Sequence, residues 1–474
     1  MNISDKLREL GYKTVPETFY KHIALWNEWY SGSVKTFHNY RIWNGIDYVD
    51  RVKLTAGMAK KAAENWADLL MNEKVHITLE GDTEQAFFDD VCTGNNFRLM
   101  MNIYQELCFA LGTTAYVVNV SGLQVDAEGY VTGAATGMKI DFVMADGIYP
   151  LAWENDQITA CAFATKRVSD NKTYVYLQIH EKGESGTYDI KNYVFDNTDG
   201  AMSNVELEAV PAFKGIEPVF HTRSEKPLFV IDKPNIVNNI DPHNPMGISV
   251  YANAIDQLKL CDNVFNSLDN EIDLGRKRIM VKPEATKGLN GEPLFDSNDI
   301  AFYVLPEDSQ NGSSIQEIAS SLRISEHLTA MQLALNTLSM KVGFGSNHWK
   351  FDAGNITTAT QVISANSEEF RTLKKHEIVL EKVLIELARI ILRMGNEFMG
   401  QTLNEDVEIS IDFDDSIIED DATEFARDVQ MLSMSIINRY EFRAKWMNED
   451  EETAKAALPK LEGVIEDEDG ADEV

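Results

Sequence analysis

The chain has 474 residues, 44% hydrophobic and 9% aromatic, enough for a substantial core and more than one ordinary domain holds, so two to four substructures are expected. Its 76 acidic residues against 43 basic ones give a formal charge of −33, which excludes a protein gripping nucleic acid over its whole surface, since that depends on cations displacing counterions. Scattered cysteines (Cys92, Cys108, Cys161, Cys261), a start (MNISDKLREL) without an apolar stretch, and no run near the ~18 apolar residues of a membrane span predict a reduced, soluble, intracellular chain.

Residues 53–71, KLTAGMAKKAAENWADLLM, place Leu54, Met58, Ala62, Trp66 and Leu69 at helical spacing. A second helix is predicted in NNFRLMMNIYQELCFAL. It ends at Gly112, where TAYVVNV switches to the β-branched and aromatic residues of a strand. From there to about residue 230 the pattern is mostly β. MKIDFVMA, ITACAFATKRV, KTYVYLQIHE and GTYDIKNYVF are short strand-like runs divided by Asp-Gly, Glu-Asn-Asp and Gly-Glu-Ser-Gly turns. The N-terminal half therefore predicts a helix-then-sheet α+β body.

A loop shaped by Pro234, Pro242, Pro245 and Gly247 leads into a long helix, ISVYANAIDQLKLCDNVFNSLDNEIDLG. Ile255, Leu258, Phe265, Leu268 and Ile272 fall along one face, Asp256, Asp262, Asp269 and Asp273 fall elsewhere, and Gly275 is a stop. An insert of about forty residues runs from RKRIMVKPEATKG to the strand AFYVLPED. The next helix carries Leu328, Met331, Leu335, Leu338 and Val342 in a packing seam.

The bend GFGSNHWKFDAGNITTATQ is glycine-rich, aromatic and basic at once. Gly343, Gly345 and Gly354 allow a sharp turn, Phe344, Trp349 and Phe351 can pack it, and Thr357 or Thr358 can cap the next helix. That helix, from about Thr358 to Met399, would span roughly 60 Å, so it either runs through the body or carries a kink. Beyond Gly400 come the strand VEISIDF, the acidic DDSIIEDD, helical segments in ATEFARDVQMLSMSI and NEDEETAKAALPKLEG, and a tail, EDEDGADEV, expected to be disordered.

No phosphate loop, dinucleotide fingerprint, nucleophile elbow, zinc-protease motif or kinase set occurs, so no catalytic residue is predicted. The nine histidines do not pair at ligand spacing. Asp412, Asp414, Asp415, Glu419, Asp420 and Asp421 invite a metal, but Ile417 stands where an EF-hand needs its turn glycine and no glutamate follows at the twelfth position. A solvated connection that caps the following helix accounts for them better, and neither metal nor cofactor is expected. Arg276, Lys277, Arg278, Lys282 and Lys287 reverse the local sign. They read either as a helix C-terminal complement with a solvated turn or as a contact for an acidic partner or phosphate backbone.

Helix, small insert, helix, glycine-rich bend and very long helix between α+β flanks resemble a tailed-bacteriophage portal protein of the SPP1-like family. NNFRLMMNIYQELCFALGTTAYVVNV is similar to the family's helix-then-strand segment in the wing, and FVMADGIYPLAWENDQITACAFATK to its strand pair. PMGISVYANAIDQLKLCDNVFNSLDNEIDLGRKRIMV resembles the entry loop and first stem helix, and IDFDDSIIEDDATEFARDVQMLSMSIINRYEFRAKW the join of wing and crown.

The resemblance implies an α+β, portal-like fold: a mixed α/β wing, a two-helix stem with a small α/β clip inserted, a long straight or kinked helix and a helical crown. Residues 1–247 would be the first part of the wing, 248–275 and 318–342 the stem helices, 276–317 the clip and 343–357 a tunnel loop. Residues 358–421 would be the long helix and second part of the wing, 422–462 the crown and 463–474 the acidic tail. It implies no enzyme but a ring, commonly a dodecamer, at one capsid vertex of the virion, assembled in the host bacterial cytoplasm. Double-stranded DNA would enter and leave through its channel, past Lys341, Phe344, Gly345, Ser346, Asn347, His348, Trp349, Lys350 and Phe351. Arg276, Lys277, Arg278, Lys282 and Lys287 would face the terminase large subunit and later the head-completion and connector proteins. Further partners would be the major capsid and scaffolding proteins, with no membrane. The competing readings are a carboxylate-rich metal-dependent hydrolase and an acidic DNA-mimic or scaffold-binding protein.

Overall fold

A computed structural model describes residues 3–43, 45–72, 75–126, 129–198, 200–275, 278–281, 302–304, 315–318, 321–346, 348–350, 359–413, 421–447, 449 and 451–458. The chain divides into two compact units, Met1–Phe413 and Asp414–Val474.

In the first unit, α1 (Ile3–Glu9), α2 (Glu17–Tyr30) and α3 (Lys35–His38) precede a hairpin of β1 (Asn39–Trp43) and β2 (Tyr48–Val52). Next come α4 (Met58–Leu70), β3 (His76–Leu79), α5 (Asp82–Gly94) and α6 (Phe97–Leu111). The α4 helix starts later than its spacing predicts. Gly57, at φ 67°, breaks the chain ahead of it, and Leu54 sits in an extended segment, its N–H donating to Asn266 Oδ1. The buried face is Ala59, Ala62, Ala63, Trp66, Ala67 and Leu70, whose alanines let α6 approach closely. Gly112 closes α6 at φ 87°, and a Cβ there would meet the Gly247 and Ile248 backbone at 2.6–2.7 Å, so only glycine fits.

The strands β4 (Thr114–Ser121), β5 (Gly137–Met144), β6 (Ile148–Glu154), β7 (Gln157–Ser169), β8 (Lys172–Lys182), β9 (Tyr188–Asp196), β10 (Ser203–Val205), β11 (Val219–His221) and β12 (Phe229–Asp232) follow. They make an antiparallel sheet in the order β10-β9-β8-β7-β6, with β11 also on β9, and a second in the order β12-β4-β5. The turns at Asn155–Asp156 and Asp170–Asn171 hold positive φ at both residues, the geometry that suits a two-residue hairpin turn. The larger sheet is covered on both faces. Val175, Leu177 and Ile179 join Leu7 and Phe195 on one side, while Tyr174 and Tyr176 pack with Phe213 on the other. In β8, His180 is fully buried between Phe163 and Phe229, ring centroids 5.5 and 5.6 Å away, and neither ring nitrogen has a partner. Burial pulls its pKa down to about 3.

The chain then runs through α7 (Ile255–Leu274), β13 (Arg278–Val281), β14 (Phe302–Val304), β15 (Ile315–Ile318) and α8 (Ile324–Lys341). In the small sheet between the two helices, β13 pairs parallel with β14 and antiparallel with β15. The 41-residue α9 (Ala359–Met399) packs on β4, β12, α4 and α5. Leu387, Ala388 and the run Ile390–Gly395 are all buried, so its C-terminal half passes through the body. After it, β16 (Ile409–Asp412) pairs antiparallel with β3, more than three hundred residues upstream.

The second unit holds α10 (Asp421–Ser433), α11 (Arg439–Met447) and α12 (Glu451–Ala456). Phe425, Phe442 and Trp446 form its aromatic cluster. Asp428, 2% exposed, accepts from Lys445 Nζ at 2.7 Å and Trp446 Nε1 at 3.1 Å.

Candidate functional site in the helix hairpin and the loop after it

The α7–α8 hairpin is held to the body at one end only. Its buried residues are Leu258, Cys261 and Asp262 on α7, and Met331, Ala334, Leu335, Leu338 and Ser339 on α8. No residue of α7 beyond Asp262, and none of α8 before Met331, is buried. The outer part, Asn263–Leu274, is roughly 18 Å of helix. Glu271 joins the two helices there, accepting from Arg323 Nε at 3.1 Å and Nη2 at 2.7 Å, with His327 Nε2 at 3.9 Å. The Arg323 hydrogen bonds hold the Glu271 carboxyl down at about 2. This outer part shows Phe265 (39% exposed), Ile272 (46%), Leu274 (69%) and Leu328 (47%) to solvent. Phe265 and Ile272, placed on an apolar face by their spacing, and Leu328, placed in a packing seam, are thus surface residues of the single subunit.

Asp262, expected away from the apolar face, is instead 3% exposed. Its Oδ2 lies 3.0 Å from His38 Nε2, and its Oδ1 accepts from Ala56 N–H at 2.7 Å and Thr55 Oγ1 at 3.3 Å. His38 Nδ1 accepts the Val34 N–H at 2.9 Å, which fixes the tautomer: Nε2 carries the hydrogen and donates to Asp262. One carboxylate thus pins both ends of the β1–β2 hairpin to α7. Periodicity misses it because its partners lie more than two hundred residues away.

The loop after α8 is anchored by a stack of three rings. Phe344, fully buried, lies on Trp66 (centroids 4.4 Å, 11° between planes) and on His348 (4.1 Å, 11°). Trp66 Nε1 donates to Val342 O at 3.0 Å. Asn65 Nδ2 donates to His348 Nε2 at 2.8 Å, so His348 Nδ1–H faces Glu369 Oε2 at 3.2 Å and ties the loop to α9. Gly343 sits at φ 93°, and a Cβ there would come within 2.8 Å of Thr372 Cγ2. Lys341, Ser346 and Lys350 are exposed, Gly345 is buried, and Trp349 is half-buried with its carbonyl accepting from Gln332 Nε2. Phe344 therefore serves the core and positions its neighbours.

Asn347, Phe351, Thr357, Thr358, Arg276, Lys277, Lys282 and Lys287 lie outside the described residues, as do Asp414, Asp415, Glu419, Asp420 and the tail. Arg278 is described by its backbone alone, in β13, as Asp421 is at the start of α10. Among the described residues no group of three His, Cys, Asp or Glu is placed to hold a metal ion, and no helix is long and apolar enough to cross a membrane.

The family model described as phage portal protein, SPP1 Gp6-like, matches residues 12–465. No curated protein matches the chain. Among solved structures it is similar, at 11% identity and a TM-score of 0.37, to a chain of the neck of a native GTA particle computed with C12 symmetry, over 82% of this chain and 90% of that one.

Proposed function

This chain belongs to the SPP1 Gp6-like family of phage portal proteins, and from that premise we propose that its copies close into a ring at one capsid vertex, through whose axial channel double-stranded DNA is packaged and ejected. The observation that carries the reading is the apolar surface left bare on the outer α7–α8 hairpin. Phe265, Ile272, Leu274 and Leu328 each gain about 1–2 kcal/mol on being covered. A neighbour packed head to tail covers them, and such contacts close into a ring when the rotation allows.

The remaining parts take roles consistent with this. An acidic wall does not hold the phosphate backbone tightly, so DNA slides. Exposed Lys341 and Lys350, repeated around the ring, supply weak contacts that salt reduces. The segment 276–317, entered through Arg276, Lys277 and Arg278, faces the terminase and then the connector proteins, and residues 422–462 form the crown. Negative-stain images of the purified protein test the reading. Rings with an axial hole are expected; particles that stay monomeric at high concentration, with no rings after capsid co-expression, would refute it.

A further inference from the structure

We propose that the β1–β2 hairpin is an arm with which one subunit grips a second copy of this chain. The inference rests on the ring reading and goes past it, since that reading does not say which elements outside the stem hold neighbours together.

The hairpin has little to pack on within its own subunit. Trp43 (53% exposed), Tyr48 (62%) and Val52 (70%) leave on the order of 300 Å² of apolar surface bare on one face, and Ile42 (49%) is bare on the other. A two-stranded hairpin by itself is marginal in water. This one is nonetheless pre-shaped. The register sets Trp43 opposite Tyr48 and Arg41 opposite Asp50 on one face. The Trp43 and Tyr48 rings meet edge to face at 5.2 Å, and Arg41 lies over Tyr48 at 5.5 Å while pairing with Asp50 at 3.0 Å. Trp, Tyr and Arg are the side chains that most often anchor interfaces.

Its root is rigid. Beyond the Asp262 clamp, Lys53 N–H donates to His38 O at 2.9 Å, Lys53 Nζ to Asn263 Oδ1 at 2.9 Å and Leu54 N–H to Asn266 Oδ1 at 3.2 Å. A fixed root lowers the ordering cost of docking. It also sets the root of the arm beside Asn263 and Asn266 of α7.

Charge selects the occupant. The strands and root carry Arg41, Arg51 and Lys53 against Asp47 and Asp50, whereas α7 carries Asp256, Asp262, Asp269, Glu271 and Asp273 against Lys259 alone. An arm of slight positive sign and an acidic helix on the same molecule are complementary between copies, as head-to-tail contacts require.

The test compares wild type with Trp43→Glu/Tyr48→Glu by native mass spectrometry across a concentration series. A parallel preparation carries a photo-crosslinking residue at position 52, on the Trp43–Tyr48 face, in the otherwise native chain. The double variant is expected to keep the monomer's melting temperature and need at least tenfold more protein to assemble, and the crosslinker to join two copies. Wild-type rings with an unchanged variant, or crosslinks that stay within one chain or reach a different capsid protein, overturn the arm alone. A wild type that stays monomeric overturns the ring reading and the arm together.

Discussion

Replacing Asp262 by Ala should be among the most damaging single changes on the stem, because it removes three acceptor contacts and leaves one of the donors, His38, buried. The His38 Nε2–H and the Ala56 N–H lose their only carboxylate, and His38 is 3% exposed, so water cannot replace it without opening the root. The buried His38 donor at about 1–3 kcal/mol and the half-buried Ala56 N–H at less, partly offset by loss of the carboxylate's own desolvation, give about 2–4 kcal/mol. At roughly 2 °C per kcal/mol for a large unit, the melting temperature should fall by about 4–8 °C. Asp262→Asn should cost less, about 1–3 kcal/mol, because one amide oxygen still accepts while the NH₂ faces the second donor. His38→Ala combined with Asp262→Ala should cost clearly less than the sum of the two, since the pair shares one interaction. Calorimetry gives the three values, and hydrogen exchange should show faster opening of residues 38–56. A change below about 1 °C for Asp262→Ala, or strict additivity with His38→Ala, would refute the clamp.

Three other outcomes are expected. His180→Leu should not lose stability at neutral pH, since it deletes two buried nitrogens that have no partner. Because the folded pKa of His180 lies far below its unfolded value of ~6.5, the wild type loses stability as pH falls below ~6.5, and at pH 5 the variant's advantage should grow by about 2 kcal/mol; denaturant melts that stay parallel at pH 7.5 and 5 would contradict this. Phe344→Ala should cost about 3–5 kcal/mol by emptying the space between Trp66 and His348, whereas Phe344→Tyr or →Leu should cost less; equal losses for all three by thermal melts would argue against a packing role. Lys341→Glu with Lys350→Glu should leave ring assembly intact and lower packaged DNA length and yield; unchanged packaging would remove both lysines from translocation.

Local chemistry made much of the fold legible. Gly112 marks the switch from α6 to β4 because no other residue fits beside Gly247 and Ile248, and Asn155–Asp156 lies at a turn whose φ values it tolerates. The β1–β2 hairpin has a local signal too, Asn44–Gly45 between aromatic, β-branched runs. Asp262 could not be read in that way. A helical wheel gives its angle, while its burial depends on His38, Thr55 and Ala56, which only the assembled fold brings to it. The seam that spacing predicts on α8 is buried at Met331, Leu335, Leu338 and Val342 and exposed at Leu328, where the helix has passed the edge of the body. Periodicity reports that a face is apolar, but not what will cover it.

That distinction gives the stem two classes of apolar residue with separable effects. Leu338 is fully buried within one subunit, so Leu338→Ala should cost the isolated subunit about 2–5 kcal/mol. Phe265 and Ile272 are partly open to solvent there, and truncating either should cost the subunit about 0.5–1.5 kcal/mol, clearly less than Leu338→Ala, while weakening assembly. Melting curves at a concentration too low for assembly, set beside assembly measured at a high one, separate the two. If Phe265→Ala destabilised the lone subunit as much as Leu338→Ala, the outer hairpin would be folding onto its own body, and the bare surface that argues for a neighbour would be gone.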